Sequence, residues 1–273
     1  MSEPLNEIVA VIFDWAGTMV DFGCLAPVRA LQAAFAADGV AITESQARAD
    51  MGVAKRDHVR ALMRNDAITA AWKAAHGHAA GEEDVDRLYR ALEPLMEAAA
   101  ADHSQLIPGA ASLVADLRTA GVKVGSSTGY TRAMMRPILA AAAAQGYAPD
   151  VTVCAGETAS GRPSPLMVWQ ALIALDAWPA WRCVKVDDAE VGIAEGRAAG
   201  AWTVGVSASG NGVGLGLDAF ESLPRSERAA RVALAAAALD AAGADYVVDS
   251  VAQLGPVLAV IAGRLAQGER PPL

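Results

Sequence analysis

The sequence predicts a doubly wound, Rossmann-like α/β fold, in which a parallel sheet carries helices on both faces and an all-helical segment follows the first strand. Two observations lead to this prediction. Short apolar runs rich in β-branched residues alternate with helical stretches along most of the chain, as in units that build parallel sheets. The alternation is interrupted once, over residues 22–102, where no convincing strand occurs.

Each predicted strand is a short apolar run. The first, residues 8–13 (IVAVIF), ends at Asp14, and its continuous apolar character indicates burial on both faces. Similar runs predict further strands at residues 122–124, 151–154, 183–186, 203–206 and 246–248. Helices are predicted at residues 110–120, 132–145, 165–176, 193–199 and 225–242.

The interruption has the pattern of a helical insert. Thr43 followed by Gln46 is typical of a capping box at a helix start. Helices are predicted at residues 27–38, 43–50, 55–64 and 82–101. We therefore expect a core domain of residues 1–21 and 103–273 and a cap domain of residues 22–102. Insertion after the first strand sets the cap over the carboxyl ends of the strands, where open α/β sheets bind ligands.

Composition limits the classes of function. Hydrophobic residues make up 53% of the 273 residues, enough for a sizeable core. The net charge of −9 argues against nonspecific nucleic-acid binding, which depends on basic patches. Three scattered cysteines without a CxxC pair indicate neither a zinc site nor a disulfide framework. No apolar run reaches the roughly 20 residues of a membrane span, and residues 1–7 lack a signal-peptide pattern. We expect a cytoplasmic protein without membrane partners.

Asp14 stands directly after the first predicted strand. A carboxylate in that position can act as a covalent nucleophile toward phosphorus. Gly17 permits a tight turn, and Thr18 is placed to donate a hydrogen bond that holds the Asp14 carboxylate. A lone Asp at such a place is more often a helix cap or a turn residue, so the interpretation depends on the other strand ends.

Other predicted strand ends and one helix start also carry polar groups. Ser127 and Thr128 follow a strand, where hydroxyls and turn amides can hold phosphate oxygens. Arg162 precedes a helix and can clamp a phosphoryl group bidentately. Asp187 and Asp188 follow another strand, and such oxygen ligands suit Mg²⁺. Each feature is ordinary by itself, but the order Asp, Ser/Thr, Arg, Asp is far more specific.

A glycine-rich stretch, residues 209–216 (SGNGVGLG), is predicted to be a loop. It is a weak candidate for a phosphate-binding loop, because no Lys-Ser or Lys-Thr pair follows it. Its composition by itself assigns it no chemical role.

The order of the polar groups resembles the haloacid dehalogenase superfamily of phosphotransferases, over nearly the whole chain and with the helical insert as its cap. Two positions depart from that pattern. Ala16 stands where most phosphatases of the superfamily carry a second Asp, so an oxygen leaving group would lack its general acid. Gly192 stands where many members carry another Asp. Asp187 or Glu190 could supply that carboxylate, and the sequence leaves both open.

Residues of the insert suggest how the protein can do without an acid at position 16. Lys55 and His58 are three residues apart, on one face of a predicted helix. A lysine in a dry pocket has a lowered pKa and can form a Schiff base with a carbonyl group. The protonated imine would accept the electrons of a breaking P–C bond, so no oxygen would need a proton. A solvated helix lysine is nevertheless the commoner case.

Five segments resemble the phosphonatases within that superfamily, across core and cap. They are IFDWAGTMVDFGC, MGVAKRDHVRAL, GSSTGYTRAMM, GRPSP and EGRAAGAWTVGV. The resemblance implies hydrolysis of the P–C bond of phosphonoacetaldehyde, with Asp14 as nucleophile and Lys55 as Schiff-base lysine, and a homodimer formed through the cap.

The same resemblance implies roles for further residues. It places Mg²⁺ on Asp14, Asp188 and the carbonyl oxygen of Ala16, and phosphate on Thr128 and Arg162, next to Ser127. His58 would line the site and move protons as the imine forms. The remaining residues that the resemblance brings to the substrate are Cys24, Met51 and Tyr130.

Two alternatives stay open at this point. One is a phosphate-ester phosphatase or mutase of the same superfamily, which Ala16 disfavours. The other is a non-catalytic phosphonate-binding protein, which is suggested by Gly192.

Overall fold

A computed structural model describes residues 5–272 of the chain. Within that range the strands form one six-stranded parallel sheet in the order β3-β2-β1-β4-β5-β6. The strands are β1 (Ala10–Phe13), β2 (Lys123–Thr128), β3 (Val151–Cys154), β4 (Cys183–Asp187), β5 (Trp202–Val206) and β6 (Tyr246–Val248). The predicted doubly wound α/β fold is confirmed. We predict no signal peptide in residues 1–7, and residues 1–4 of that segment lie outside the described range.

The register of the sheet brings the candidate residues together. Phe13, the last residue of β1, pairs with Ser126 on β2 and with Val186 on β4. The residues that follow these positions therefore meet at one edge of the sheet. Because β1 lies between β2 and β4, that edge is the crevice where doubly wound sheets bind ligands.

Helices surround the sheet and fill the insert. The five in the insert are α1 (Leu25–Ala37), α2 (Glu44–Arg48), α3 (Lys55–Met63), α4 (Asp66–His76) and α5 (Glu82–Asp102). Those that follow are α6 (Ala110–Thr119), α7 (Arg132–Ala144), α8 (Leu166–Ala174), α9 (Glu190–Ala199), α10 (Leu217–Ser222), α11 (Arg225–Ala241) and α12 (Leu254–Ala266). Helices α4, α10 and α12 are not among the predicted helices.

Local signals explain where the helices of the insert begin. Thr43 and Gln46 form the predicted capping box, with Gln46 N donating to Thr43 Oγ1 at 3.1 Å and Thr43 N donating to Gln46 Oε1 at 2.8 Å. The helix that they open ends at Arg48, two residues before the predicted end. Asn65 caps α4, where its side chain accepts a hydrogen bond from Ala67 N.

One hydrophobic cluster connects the sheet with the insert. Val11 of the central strand belongs to the same cluster as the buried side chains of Phe35, Trp72 and Leu88. The division into a core domain and a cap domain stays a prediction. Among the described residues, we find no helix that combines the length and the apolar character needed to cross a membrane.

Candidate active site

The carboxyl ends of the central strands and the start of α3 enclose a cavity of about 20 Å³, roughly enough for one water molecule. The cavity is lined by Asp14, Ala16, Cys24, Met51, Gly52, Lys55, Thr128, Gly129, Tyr130, Arg162, Asp188 and Ala189. Of the candidate site residues from the sequence, this lining lacks only Ser127, His58 and Asp187, besides Glu190. It thus joins strand ends of the sheet to a segment of the insert, and the roles of the residues stay predictions.

Asp14 follows β1 and is buried. Its backbone N–H donates to Val186 O at 2.9 Å, which fixes the residue beside β4. Its Oδ1 accepts a hydrogen bond from Arg162 Nη2 at 2.8 Å. Burial raises the pKa of the Asp14 carboxyl, and the Arg162 guanidinium opposes that rise. A bound cation would favour the ionised form that a nucleophile needs.

Arg162 is the cationic centre of the site. Besides Asp14 it meets Glu195, to which its Nε donates at 3.0 Å, and Asp187, whose Oδ2 lies 3.3 Å from its Nη2. Burial disfavours its charge, but the carboxylates of Asp187, Asp14 and Glu195 keep the pKa of the guanidinium well above its ordinary value. It is therefore a charged, rigidly held group at the edge of the cavity.

Ser127 lies behind the cavity and supports Arg162. Its Oγ donates to Glu195 Oε2 at 3.0 Å and accepts from Lys185 Nζ at 3.0 Å. Its carbonyl oxygen accepts from Arg162 Nη2 at 2.6 Å. Thr128, the next residue, does line the cavity, and its Oγ1 accepts from Tyr130 N at 3.2 Å.

Sequence reasoning assigned no role to Lys185 and Glu195, although both are fully buried. Their charged groups lie 3.5 Å apart, and Lys185 Nζ is 2.8 Å from Asp187 Oδ2. A charged residue in the middle of an apolar strand, as Lys185 is in CVKVD, is the one signal that could have indicated a buried ion network.

Asp14, Asp187 and Asp188 form a cluster of carboxylates. One oxygen from each lies within 4.8 Å of the other two. Burial, together with the nearby charges of Asp14 and Asp187, raises the pKa of Asp188 well above its ordinary value. Crowded buried carboxylates repel one another, and an all-oxygen donor set suits a hard divalent cation. The residues present therefore fit a metal site.

Thr18 holds a different carboxylate from the one expected. Its Oγ1 donates to Asp188 Oδ1 at 3.0 Å, so the expectation that it holds Asp14 is wrong. The reason is non-local: the turn after β1 approaches the end of β4, 170 residues later in the chain, and the sequence contains no signal of that approach.

The space near Gly192 is filled by Asp187. A Cβ atom added at Gly192 would lie 2.0 Å from the Asp187 carboxyl carbon. Glu190, in contrast, is exposed. Burial opposes ionisation of Asp187, but Arg162 and Lys185 hold its pKa below the ordinary value. Of the two carboxylates that the sequence left open, Asp187 is the one that lies in the cluster.

Lys55 is the first residue of α3 and is only 2% exposed. Its Nζ lies 3.7 Å from Met51 Sδ and 5.1 Å from the centroid of the Tyr130 ring. Burial lowers the pKa of the ammonium group to about 8, although the nearby Asp14 carboxylate opposes the shift. This amine is therefore partly neutral near physiological pH, as a nucleophilic lysine must be.

His58 lies one helical turn after Lys55 and is fully buried. Burial, and next the Lys55 charge, lower the pKa of its imidazole to about 3. Hydrogen bonding to the backbone of Ala49 and Ala47 opposes this lowering only in part. The imidazole is therefore neutral, and it lies behind Lys55 rather than in the lining of the cavity.

Cys24, Met51 and Tyr130 surround the Lys55 amine with weakly polar surface. All three are buried. Burial raises the pKa of the Cys24 thiol and of the Tyr130 phenol well above their ordinary values, so both groups are neutral. Ala16 adds a methyl group to the lining and brings no acid to the position after Asp14 and Trp15.

The fold and the site together define a hydrolase of the haloacid dehalogenase class, and the profile of the haloacid dehalogenase-like hydrolases matches residues 8–200. More similar proteins carry a narrower name. The chain is 48% identical to the phosphonoacetaldehyde hydrolase of Paraburkholderia phytofirmans, over 98% of this chain and 100% of that one. It is 45% identical to that of Nitratidesulfovibrio vulgaris, over 97% and 95%. The chain belongs to the phosphonoacetaldehyde hydrolase family.

Solved structures agree with this assignment. A phosphonoacetaldehyde hydrolase-like protein from Oleispira antarctica superposes with a TM-score of 0.96 at 43% identity, covering 99% of this chain and 97% of that one. A β-phosphoglucomutase from Clostridium difficile has a TM-score of 0.67 at 19% identity, over 95% and 99% of the two chains. The second likeness shows the fold alone.

Proposed function

We propose that this chain hydrolyses the P–C bond of phosphonoacetaldehyde, with acetaldehyde and phosphate as products. The observation that carries the proposal is the composition of one small cavity. It contains a buried amine of lowered pKa, Lys55, and a buried carboxylate, Asp14, with Ala16 at the place of a general acid. The names of the relatives, at 45% identity and above, support the same substrate.

The reaction begins at Lys55. Its neutral amine adds to the aldehyde carbon, and loss of one water molecule gives an imine that is protonated on nitrogen. His58 is neutral and lies one helical turn from Lys55, and we propose that it relays the protons of this step. The weakly polar surface of Met51 and Tyr130 keeps the amine dry.

Phosphoryl transfer follows at Asp14. A carboxylate oxygen of Asp14 attacks phosphorus, the P–C bond breaks, and its electrons move into the iminium group to give an enamine. Arg162, which already donates to Asp14 Oδ1 at 2.8 Å, stabilises the negative charge on the transferring group. No oxygen leaves, so the absence of an acid at Ala16 has no cost.

Two hydrolyses complete the cycle. Water cleaves the aspartyl phosphate, which releases phosphate and restores Asp14. The enamine is protonated on carbon, and water then hydrolyses the imine, which releases acetaldehyde and restores the amine of Lys55. One water molecule is consumed overall, because the one expelled at imine formation is balanced by one of the two taken up.

We propose Mg²⁺ as the cation of the carboxylate cluster, held by Asp14, Asp188 and the carbonyl oxygen of Ala16. We propose that Asp187 supports the site from the space that a side chain at position 192 would otherwise occupy. When bound, Mg²⁺ would neutralise charge on the phosphoryl oxygens. Substrate oxygens would otherwise meet Thr128 and Arg162, with Ser127 holding the guanidinium in place.

The proposed roles of the two parts of the chain follow the domains predicted from the sequence. We propose that residues 1–21 and 103–273 act as the core that performs phosphoryl transfer. Residues 22–102 act as the cap that supplies Lys55 and, through its helices, joins two copies of the chain. A small phosphonate in the cytoplasm is the proposed partner.

Borohydride trapping tests the proposal. Incubation with phosphonoacetaldehyde and borohydride is expected to leave a reduced adduct on Lys55, which mass spectrometry of peptides locates. Lys73, an exposed lysine of α4, serves as the internal control and should stay unmodified at the same dose. Release of phosphate without an adduct on Lys55 would overturn the imine mechanism.

The two alternatives give different results in the same assays. A phosphate-ester phosphatase or mutase would turn over sugar phosphates and tolerate Lys55→Arg. A binding protein would retain phosphonoacetaldehyde and release no phosphate. We expect phosphate release from phosphonoacetaldehyde alone, and its loss in Lys55→Arg.

A further inference from the structure

The glycine-rich loop, residues 209–216, lies beside the carboxylate cluster. The N–H of Asn211 donates to Asp188 Oδ2 at 2.8 Å. Ser209 Oγ donates to the carbonyl oxygen of Gly17 at 2.7 Å, in the turn after Asp14. The loop therefore supports the site from the side of β5.

One arginine of the insert binds this loop. Arg48, the last residue of α2, donates from Nη2 to Gly214 O at 2.7 Å and from Nη1 to Asn211 Oδ1 at 3.1 Å. Asn211 Nδ2 in turn donates to Arg48 O at 3.2 Å. A further bond joins Arg48 Nη1 to Gly23 O at 2.9 Å, at the junction between core and insert. We call this set of contacts the Arg48 bridge.

The loop is shaped to receive the guanidinium. Gly214 has a φ of +69°, and a Cβ atom there would lie 2.7 Å from Arg48 Nε. Any other residue would therefore push the arginine out. Apart from Glu44, the partners of Arg48 are one amide and backbone carbonyls, so the geometry depends on a planar, multidentate donor, which Lys cannot replace.

The bridge also reaches toward the substrate side. The N–H of Met51 donates to Arg48 O at 3.3 Å, and the chain then continues through the cavity lining to Lys55. The cavity has a volume of about 20 Å³, too small for phosphonoacetaldehyde. The segment that carries Lys55 must therefore move away from the core for substrate to bind.

We infer that Arg48 is a positioning residue that holds the insert closed over the site and couples closure to the orientation of Asp188. Arg48 and Asp188 are joined through Asn211, whose side chain contacts the first and whose N–H contacts the second. Opening of the insert breaks the contacts of Arg48 and frees the loop that orients Asp188. The contacts of Arg48 do not depend on the proposed function, but the effect of closure on catalysis rests on it.

Chemical labelling of Lys55 tests the bridge without any turnover. Lys55 is 2% exposed and Lys73 is exposed, so an amine-reactive acylating reagent modifies the two at different rates in the same molecule. In Arg48→Met we expect the ratio of Lys55 to Lys73 labelling to rise about tenfold, as local opening becomes more frequent. Amide hydrogen exchange in residues 209–216 should rise with it.

Arg60→Met is the matched control. Arg60 pairs with Asp57 and Glu82, all within the insert, so its loss removes an arginine of the same insert without touching the core. Wild-type labelling ratios are expected. A purely structural role for Arg48 would loosen the loop but leave the Lys55 ratio unchanged, and that outcome would overturn the inference.

Asn211→Ala keeps the test decisive if Arg48→Met does not fold. It removes the amide contacts with Arg48 and keeps the N–H that binds Asp188, so we expect an increase in Lys55 labelling of the same sign. Unchanged labelling in a folded Asn211→Ala protein contradicts the bridge. Absence of phosphate release by the wild type would instead contradict the proposed function, and the labelling ratio would still decide on the bridge.

Discussion

Burial of Lys55 links catalysis to stability at the scale of one residue. The folded protein lowers the pKa of this amine from 10.5 to about 8, chiefly by burial. An unfolded chain binds the proton up to its ordinary pKa, so the folded state is disfavoured below pH 8, and this disadvantage is lost as pH rises to 10.5. Burial of this amine, which lowers its pKa, therefore makes the free energy of folding less favourable.

Lys55→Met is therefore expected to stabilise the protein. At neutral pH we expect the free energy of unfolding to rise by about 1–3 kcal/mol, because the desolvation of a charge disappears. Urea denaturation at several pH values measures it, and the gain should shrink toward pH 10.5. Lys73→Met, an exposed change, is the control. A less stable Met variant would contradict the role given to burial.

Adduct formation on Lys55 should depend on pH in a characteristic way. The neutral fraction of an amine rises about tenfold per pH unit below its pKa. The initial rate of borohydride trapping is expected to rise up to pH 8, the pKa of Lys55, and then to level off. A rate that keeps rising toward pH 10 would show that the amine has the pKa of an ordinary lysine.

We expect that a carboxylate at position 192 can take over the role of the Asp187 carboxylate. Gly192→Asp alone is expected to destabilise the protein, because the new Cβ would lie 2.0 Å from the Asp187 carboxyl carbon. Asp187→Gly alone should weaken Mg²⁺ binding, measured by calorimetry. The double variant Asp187→Gly/Gly192→Asp should recover part of both losses, as a double-mutant cycle would reveal. Additive losses would contradict the pairing.

At the scale of elements, local sequence patterns predicted the strands and helices better than they predicted the contacts between them. The strands follow from apolar runs between turn residues, and the register then places Asp14 level with Asp187 and near Asp188. The start of α4 also has a local signal, Asn65, and its end has another, Gly77 in a left-handed conformation. Helix α4 is absent from the prediction although both local signals are present in the sequence.

The ion network behind the site could not be predicted in the same way. Lys185 lies on β4 and Glu195 on α9, and they meet Ser127 of β2 only because the sheet brings these elements together. The same is true of Thr18 and Asp188. A sequence pattern indicates which residues have a chemical function, but which pairs touch depends on non-local packing.

Helix α4 should be an essential part of the insert. Its Trp72 is fully buried, stacks on His76 with ring centroids 4.1 Å apart, and lies below Arg87. Trp72→Ala is expected to lower the free energy of unfolding by about 3–5 kcal/mol, as measured by urea denaturation. Trp72→Phe keeps most of the apolar volume and should lose less than half as much. Equal losses would argue against packing as the cause.

The whole molecule combines a net negative charge with three buried cations at the site. Its net charge is −9, yet Lys55, Arg162 and Lys185 are buried around the carboxylate cluster. A phosphonate is thus attracted by groups at the site rather than by the general field of the protein.

Assembly is the prediction at this largest scale. We expect a homodimer formed through helices of residues 22–102, so light scattering should report twice the mass of one chain. Charge substitutions on an exposed face of α5 should shift the equilibrium toward single chains, whereas similar changes on α11 should not. A monomer at micromolar concentration would contradict the dimer.

The small size of the cavity has a consequence for water. The cavity has room for about one water molecule, so few water molecules can lie beside Asp14 and Lys55 at once. For the acyl phosphate and the enamine of the proposed mechanism, the supply of water would therefore depend on movement of the insert.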